Sequence, residues 1–185
     1  MGRTSIVVGM LAVSLMTGIG TAGVAGQSAT PEAAGAPPAC PATTEDENVA
    51  IARVWHEEVI NHRNPDALGE VLAPGVVHHA AGGYPEVMDE AGVGAMMSDF
   101  LDAFPDLTYA FDFWVAQDDM VVERYTATGT QEGQLGDLAP TGRTATWTGV
   151  NIFRIECGRI AEVWSEVDAI GRNRQITGPE ATPAP

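Results

Sequence analysis

A carboxylate, a guanidinium and an imidazole set together in an apolar place can move protons without help from a cofactor. Three residues of this chain are candidates for such a set: Asp168, Arg124 and His78. Asp168 closes the last strand-like run, where a carboxylate at a cavity mouth could serve as acid or base, or could instead form a strand-end turn or cap a helix ahead of Gly171. Arg124 shares a strand face with Val122 and Thr126, so it is either an oxyanion or carboxylate partner inside a cavity or half of a surface ion pair with the neighbouring Glu123. His78 and His79 are consecutive on one strand and point to opposite faces, so at most one reaches an interior. Trp147 and Trp164 could wall an apolar pocket or pack in a core, and His56 and His62 on the first helical run read as surface residues.

Other chemistries lack their residues. There is no His-x-x-x-His or Cys-x-x-Cys spacing, so zinc is set aside, and there is no glycine-rich phosphate loop and no Gly-x-Ser-x-Gly nucleophile elbow. Twenty-five acidic residues against nine basic ones, a net charge of −16, argue against nucleic acid as a partner.

The elements that must position the candidates follow from periodicity. Glu47 to His62 places Val49, Ala52, Trp55, Val59 and Ile60 on one helical face, with Thr43 or Thr44 available as a cap. Pro65 to Leu72 reads as a short second helix, Val76 to Ala80 as a strand, and Ala91 to Phe104 as a third helix stopped by Pro105. From Leu107 the period becomes alternating, and Leu107, Tyr109, Phe111, Phe113 and Val115 are expected on one face of a strand. Met120 to Thr130, Arg143 to Glu156 and Arg159 to Asp168 are the strands that follow, with Cys157-Gly158 as a tight hairpin. Helices first and a long antiparallel sheet afterwards make an α+β domain.

Arg3 followed by the charge-free apolar run Ile6 to Ala25 has the layout of a secretory leader, read as residues 1–25, with an uncleaved anchor as the alternative. Residues 26–44 are Ala, Pro, Thr and Gly, a linker composition, and residues 177–185 are a tail of the same kind, which leaves residues 45–176 as one domain. The expected location is therefore secreted, with no membrane attachment after cleavage. In an exported chain Cys40 and Cys157 are expected to be bridged, the alternative being two free thiols.

Five segments in order carry a resemblance: Val76-Val77-His78-His79; Phe104-Pro105-Asp106-Leu107; Gly129-Thr130 with Gly133; Pro140-Thr141-Gly142-Arg143; and Glu162, Trp164, Asp168, Gly171, Gln175. They resemble the SnoaL-like polyketide cyclase or ester cyclase family of the nuclear-transport-factor-2-like superfamily. The resemblance implies a curved antiparallel sheet wrapped over three N-terminal helices, a cone-shaped α+β barrel enclosing a pocket, and pairing into a homodimer through the outer sheet face. It also implies a cofactor-free intramolecular aldol closure by an aspartate. That aspartate position falls on Ser165 here, and the family's pocket histidine falls on Asn151. The implied site thus comprises Asp168, Arg124 and His78 as catalytic groups and Trp147, Asn151, Trp164, Ser165 and His79 as pocket lining. The implied function is a cyclase or isomerase acting on a small apolar carbonyl or ester compound. A non-catalytic binding module of the same fold is the alternative. A hydrolase with an Asp-Arg-Asp water-activating set fits less well, since Arg124 is the one plausible pocket arginine.

Overall fold

The computed structural model describes residues 40–80, 86 and 89–178; the expected leader, the linker before Cys40 and the tail from 179 lie outside the described residues. Helix α1 (Glu45–Arg53) starts at a capping box, in which the Thr44 hydroxyl accepts from the Glu47 N–H at 3.3 Å and the Glu47 carboxylate accepts from the Thr44 N–H at 2.7 Å. Those bonds hold the exposed Glu47 carboxyl below its ordinary pKa. The helix then widens into a π-helical segment, Val54–Asn61, with the His62 N–H bonded five residues back to Glu57 at 3.0 Å. The wider turn buries Trp55, His56, Val59 and Ile60 together, so His56 is a core residue and not the surface residue its helical position suggested.

A 3-10 turn (Pro65–Ala67) and the single-turn α2 (Leu68–Val71) lead into β1 (Leu72–Ala80). Helix α3 (Glu90–Ala103) is capped by Asp89, whose side chain accepts from the Gly92 N–H at 2.7 Å. Strands β2 (Thr108–Gln117), β3 (Met120–Thr130), β4 (Thr144–Glu156) and β5 (Arg159–Val167) form an antiparallel meander. The curved sheet runs β1-β5-β4-β3-β2; β1 joins β5 in parallel and the edges stay open, so the cone is not a closed barrel. Phe104, Leu107, Phe153 and Ile160 are completely buried between sheet and helices, each worth about 1.5–3 kcal/mol of burial.

Two departures from strict pattern matter for the site. In β2 the register slips between Phe111 and Phe113, so Asp112 and Phe113 both face outward and Trp114 and Ala116 turn inward. Phe113 and Val115, expected beside Tyr109, are instead 50% and 55% exposed. Beyond β5 the chain makes a fourth helix, α4 (Ala169–Thr177), which the sequence reading did not resolve. β5 ends opposite Gly149, which leaves the start of β4 with an open edge, and α4 covers it. The Gln175 amide accepts from the Thr146 N–H at 2.9 Å and donates to the Thr146 carbonyl at 2.7 Å, like a strand residue would. Ile176 anchors the helix in the core.

Cys40 and Cys157 form the expected disulfide, with Cα atoms 5.2 Å apart. Cys157 and Gly158 take φ of 54° and 71°, the left-handed pair that a two-residue hairpin turn needs.

Candidate active site

The concave face of the sheet, the π-helical segment, α3 and α4 enclose a cavity of about 430 Å³. Its walls are mostly rings and thioethers, from Trp55, Tyr109, Tyr125, Trp147, Phe100, Met96 and Met97. A pocket of that size and character suits a small, largely apolar molecule. Gly149 of β4 is needed for its shape, because a Cβ there would lie 2.2 Å from the Tyr125 hydroxyl.

Polar groups in and directly behind this wall form two neighbouring sets, Glu123 with His56 and Asn151 with Ser165 and His78. Glu123, fully buried on the inward face of β3, meets His56 Nδ1 at 2.8 Å. An ionised carboxylate can only accept, so Nδ1 carries the proton and Nε2 is left as the basic nitrogen of His56. Asn151 Nδ2 lies 3.4 Å from the same Nδ1, a donor facing a donor and so a contact without a hydrogen bond, and Asn151 Oδ1 accepts from the Ser165 hydroxyl at 2.6 Å. With its proton committed, Ser165 Oγ accepts from His78 Nε2 at 2.8 Å. His78 is thereby the Nε2–H tautomer, and its Nδ1 is buried without a partner. Loss of solvent pushes the His78 pKa down to about 4, and the neighbouring His56 and His79 add to the effect. The ring is neutral near pH 7.

Glu123 is the least comfortable member, since its second oxygen, Oε2, is buried with no hydrogen-bond partner. Such an atom costs about 1–3 kcal/mol where the fold alone decides, and groups of this kind collect at functional sites. The phenols of Tyr109 and Tyr125 are held above their ordinary pKa, chiefly by burial and then, for Tyr125, by the Glu123 charge, so both stay protonated as donors. The His56 ring stacks on Tyr109 with centroids 4.1 Å apart. Among the described residues no group of three or more His, Cys, Asp or Glu is placed to hold a metal ion.

The structure separates the residues expected from sequence. His78, Trp147, Asn151 and Ser165 line the cavity. Arg124 does not: it lies on the outer face of β3 in a surface ion pair, donating to the Asp112 carboxylate and not to the expected Glu123, which alternation turns to the buried face. Asp168 lies outside the cavity wall as the N-cap of α4, its carboxylate accepting from the Gly171 N–H at 2.7 Å. A Cβ on Gly171 would lie 2.1 Å from that carboxylate, which explains the glycine. Trp164 and His79 face outward from β5 and β1, stacked on one another at 5.3 Å, with His79 also bonded to Glu162 at 2.8 Å. The Glu162 bond raises the His79 pKa.

Missed from sequence were His56, Glu123, Tyr109, Tyr125 and Arg172. Alternation along β3 did hold the signal for two of them, since placing Arg124 outside puts Glu123 and Tyr125 inside. Arg172 depends on α4 and had no such signal.

No curated protein matches the chain. Among solved structures, a SnoaL-like protein of Jannaschia sp. CCS1 superposes with a TM-score of 0.69 at 20% identity, covering 76% of this chain and 98% of that one. TsrD of Streptomyces laurentii superposes with a TM-score of 0.64 at 25% identity over 72% of this chain and 97% of its own. A SnoaL-like polyketide cyclase of Agrobacterium tumefaciens C58 gives 0.59 at 23% identity, with 69% and 96% covered. These likenesses fix the fold, and the family model for SnoaL-like polyketide cyclases matches residues 50–176, nearly the whole described domain. With its open α+β cone, its enclosed apolar cavity and a sequence match from α1 to the end of α4, the chain belongs to the SnoaL-like polyketide cyclase family.

Proposed function

We propose that this protein is an exported, cofactor-independent acid/base enzyme of the cyclase or isomerase type, acting on a small, largely apolar carbonyl or ester compound. The observation that carries the reading is His56, buried in the cavity wall and oriented by a fully buried carboxylate 2.8 Å from Nδ1. In this reading His56 Nε2 takes a proton from the carbon next to a carbonyl, and the electron pair moves to the carbonyl oxygen. The protonated phenols beside it are the donors available to that oxygen. In a cyclisation the enolate carbon then bonds to a second carbonyl of the same molecule, and His56 returns the proton to the new alkoxide. His78, Ser165 and Asn151 keep the wall polar and fixed. Asp168 and Arg124 sit too far out in the fold to share in this chemistry.

Export rests on the apolar leader and is supported by the Cys40–Cys157 disulfide, since such bonds persist in oxidising compartments. Among the described residues no helix is long and apolar enough to cross a membrane. Homodimerisation through the outer sheet face is supported by Phe113 and Val115, half exposed there.

The test does not need the natural substrate. Deuterium uptake α to the carbonyl of simple cyclic and aryl ketones, followed by proton NMR, should be accelerated by the wild type and not by His56→Gln. A binding module of the same fold is the second reading, favoured by Ser165 and Asn151 at the family's aspartate and histidine positions and by the 2.6 Å bond that ties them together. Saturable binding of such ketones without any accelerated exchange would select that reading.

A further inference from the structure

Arg172 is the side chain that the acid/base reading leaves without a task. It lies in the first turn of α4, its backbone N–H bonded to the Asp168 carbonyl at 3.0 Å, and it is 2% exposed. Its guanidinium lines the cavity over the faces of Phe100 and Trp147, 5.4 Å and 5.7 Å from the ring centroids. The polar contact given for its side chain is Nε to the neutral Asn173 Oδ1 at 3.2 Å. Among the described residues no carboxylate lies within 4.0 Å of it. Asp99 borders the same cavity, but it is exposed and outside that range.

Two terms therefore act against this placement. A guanidinium keeps its charge in proteins, and withdrawing a charge from water costs several times what attraction to a ring face returns. The amino end of a helix is itself positive and repels a cation there. The other described arginines near carboxylates, Arg53, Arg124 and Arg154, take ordinary ion pairs at the surface. A buried cation in an apolar wall, with an open volume in front of it, lacks an anion that none of the described residues supplies.

We propose that the ligand of this cavity carries a carboxylate, which Arg172 binds while Phe100, Met96 and Trp147 take its apolar body. The proposal rests on the accessible pocket assumed above and narrows its substrate class from a neutral carbonyl compound to a carbonyl-bearing or ring-bearing acid. One guanidinium balances one negative charge, and its planar fork matches a carboxylate. Because the whole chain carries a net charge of −16, a small acid gains nothing from long-range attraction, so its recognition must be local to this residue.

Intrinsic tryptophan fluorescence, with Trp147 beside the guanidinium, reads the test directly. The probes are 2-naphthoate and its methyl ester, equal in ring and different in charge. The wild type should bind the acid about tenfold or more tightly than the ester, Arg172→Met should erase the difference, and Arg172→Lys should keep part of it. Equal affinity of the wild type for acid and ester discards the carboxylate and leaves the apolar pocket standing. A preference for the acid that survives in folded Arg172→Met also discards it. Silence with both probes in folded wild-type protein removes the pocket reading and this one together. The wild-type comparison holds even if a variant fails to fold.

Discussion

Strands β3, β4 and β5 carry two sets of polar residues one position apart, and the two faces use them differently. Outward, Arg124 pairs with Asp112, Arg154 with Glu156 and Glu162, and His79 with Glu162 and the Trp164 ring, in ion pairs and a stack that water reaches from one side. Inward lie Glu123, Asn151 and Ser165, joined to His56 and His78 where rings exclude water. Exposed pairs contribute about 0–1 kcal/mol and tolerate loss. The inward groups are bound by one or two specific neighbours each, and two of them, Glu123 and His78, keep an atom with no partner at all. The same residue types thus hold the fold loosely on one face and store chemistry on the other.

Neighbouring substitutions across β3 test that contrast at its strongest. His56→Gln should cut α-proton exchange by about 10²- to 10⁴-fold, the usual scale for a positioned base. Glu123→Gln should lower the rate less while the protein still folds, because the amide keeps the contact with Nδ1 and loses only its charge. Arg124→Gln, one residue along, should leave the rate within twofold and stability within about 1 kcal/mol. If Arg124→Gln were as damaging as His56→Gln, the division between the faces would be wrong.

Next in size is the disulfide, which acts on neither face but straps the start of the domain to the β4–β5 hairpin. It spans 117 residues of chain, and losing it in a Cys40→Ser/Cys157→Ser pair should cost up to about 4–5 kcal/mol in the chain-entropy model. Chemical denaturation of oxidised and substituted protein measures it. No change in midpoint would mean that the unfolded chain gains little freedom when the bridge is cut.

His78 gives a pH signature that the outward His79 does not share. Its folded pKa of about 4 lies below the unfolded value near 6.5, so above 6.5 neither state holds the proton and nothing is lost. Between pH 6.5 and 4 the unfolded chain takes up the proton first, and stability should fall by up to about 3 kcal/mol before levelling below pH 4. His79, whose pKa is raised by Glu162, works in the opposite sense and loses its contribution as pH rises. Denaturation midpoints from pH 7 to 4 in His78→Asn should show a flatter acid limb than the wild type. An unchanged limb would place the acid sensitivity elsewhere.

Much of this was legible before any coordinates. The α+β order, a threonine cap at Thr43 or Thr44, opposite faces for His78 and His79 and for Ser165 and Trp164, and a bridge between Cys40 and Cys157 follow from period, capping chemistry and cysteine usage, while which of each pair turns inward did not. Three physical facts hid the rest. A π-helical turn moved His56 inward, and no side-chain pattern marks where a helix widens. A bulge at Asp112 reversed the second half of β2, so Phe113 and Val115 left the face that alternation gave them. The third is α4: the short polar run Ala169 to Thr177 has too few apolar residues at helical spacing to announce a helix, and its role shows only where β4 has an open edge for Gln175 to cover. With α4 went the buried Arg172, so the sequence reading gave the pocket cation to Arg124.

The smallest expected effect concerns Asp168, the residue whose two readings the sequence left open. Its carboxylate caps α4 through the Gly171 N–H, and α4 carries both Ile176 into the core and Arg172 into the cavity wall. Asp168→Asn should be nearly silent, because asparagine caps as well as aspartate and keeps the same acceptor. Asp168→Ala should lose about 1 kcal/mol, within the usual range for a cap. Turnover per folded molecule should hold in both variants, since the acid/base groups sit on β3 and the π-helical segment, away from this helix end. The pair separates the roles cleanly: stability follows the acceptor atom, and proton transfer would follow the charge. A large loss of α-proton exchange in a stable Asp168→Asn protein would move the chemistry to the mouth of the cavity and undo the division between the two faces.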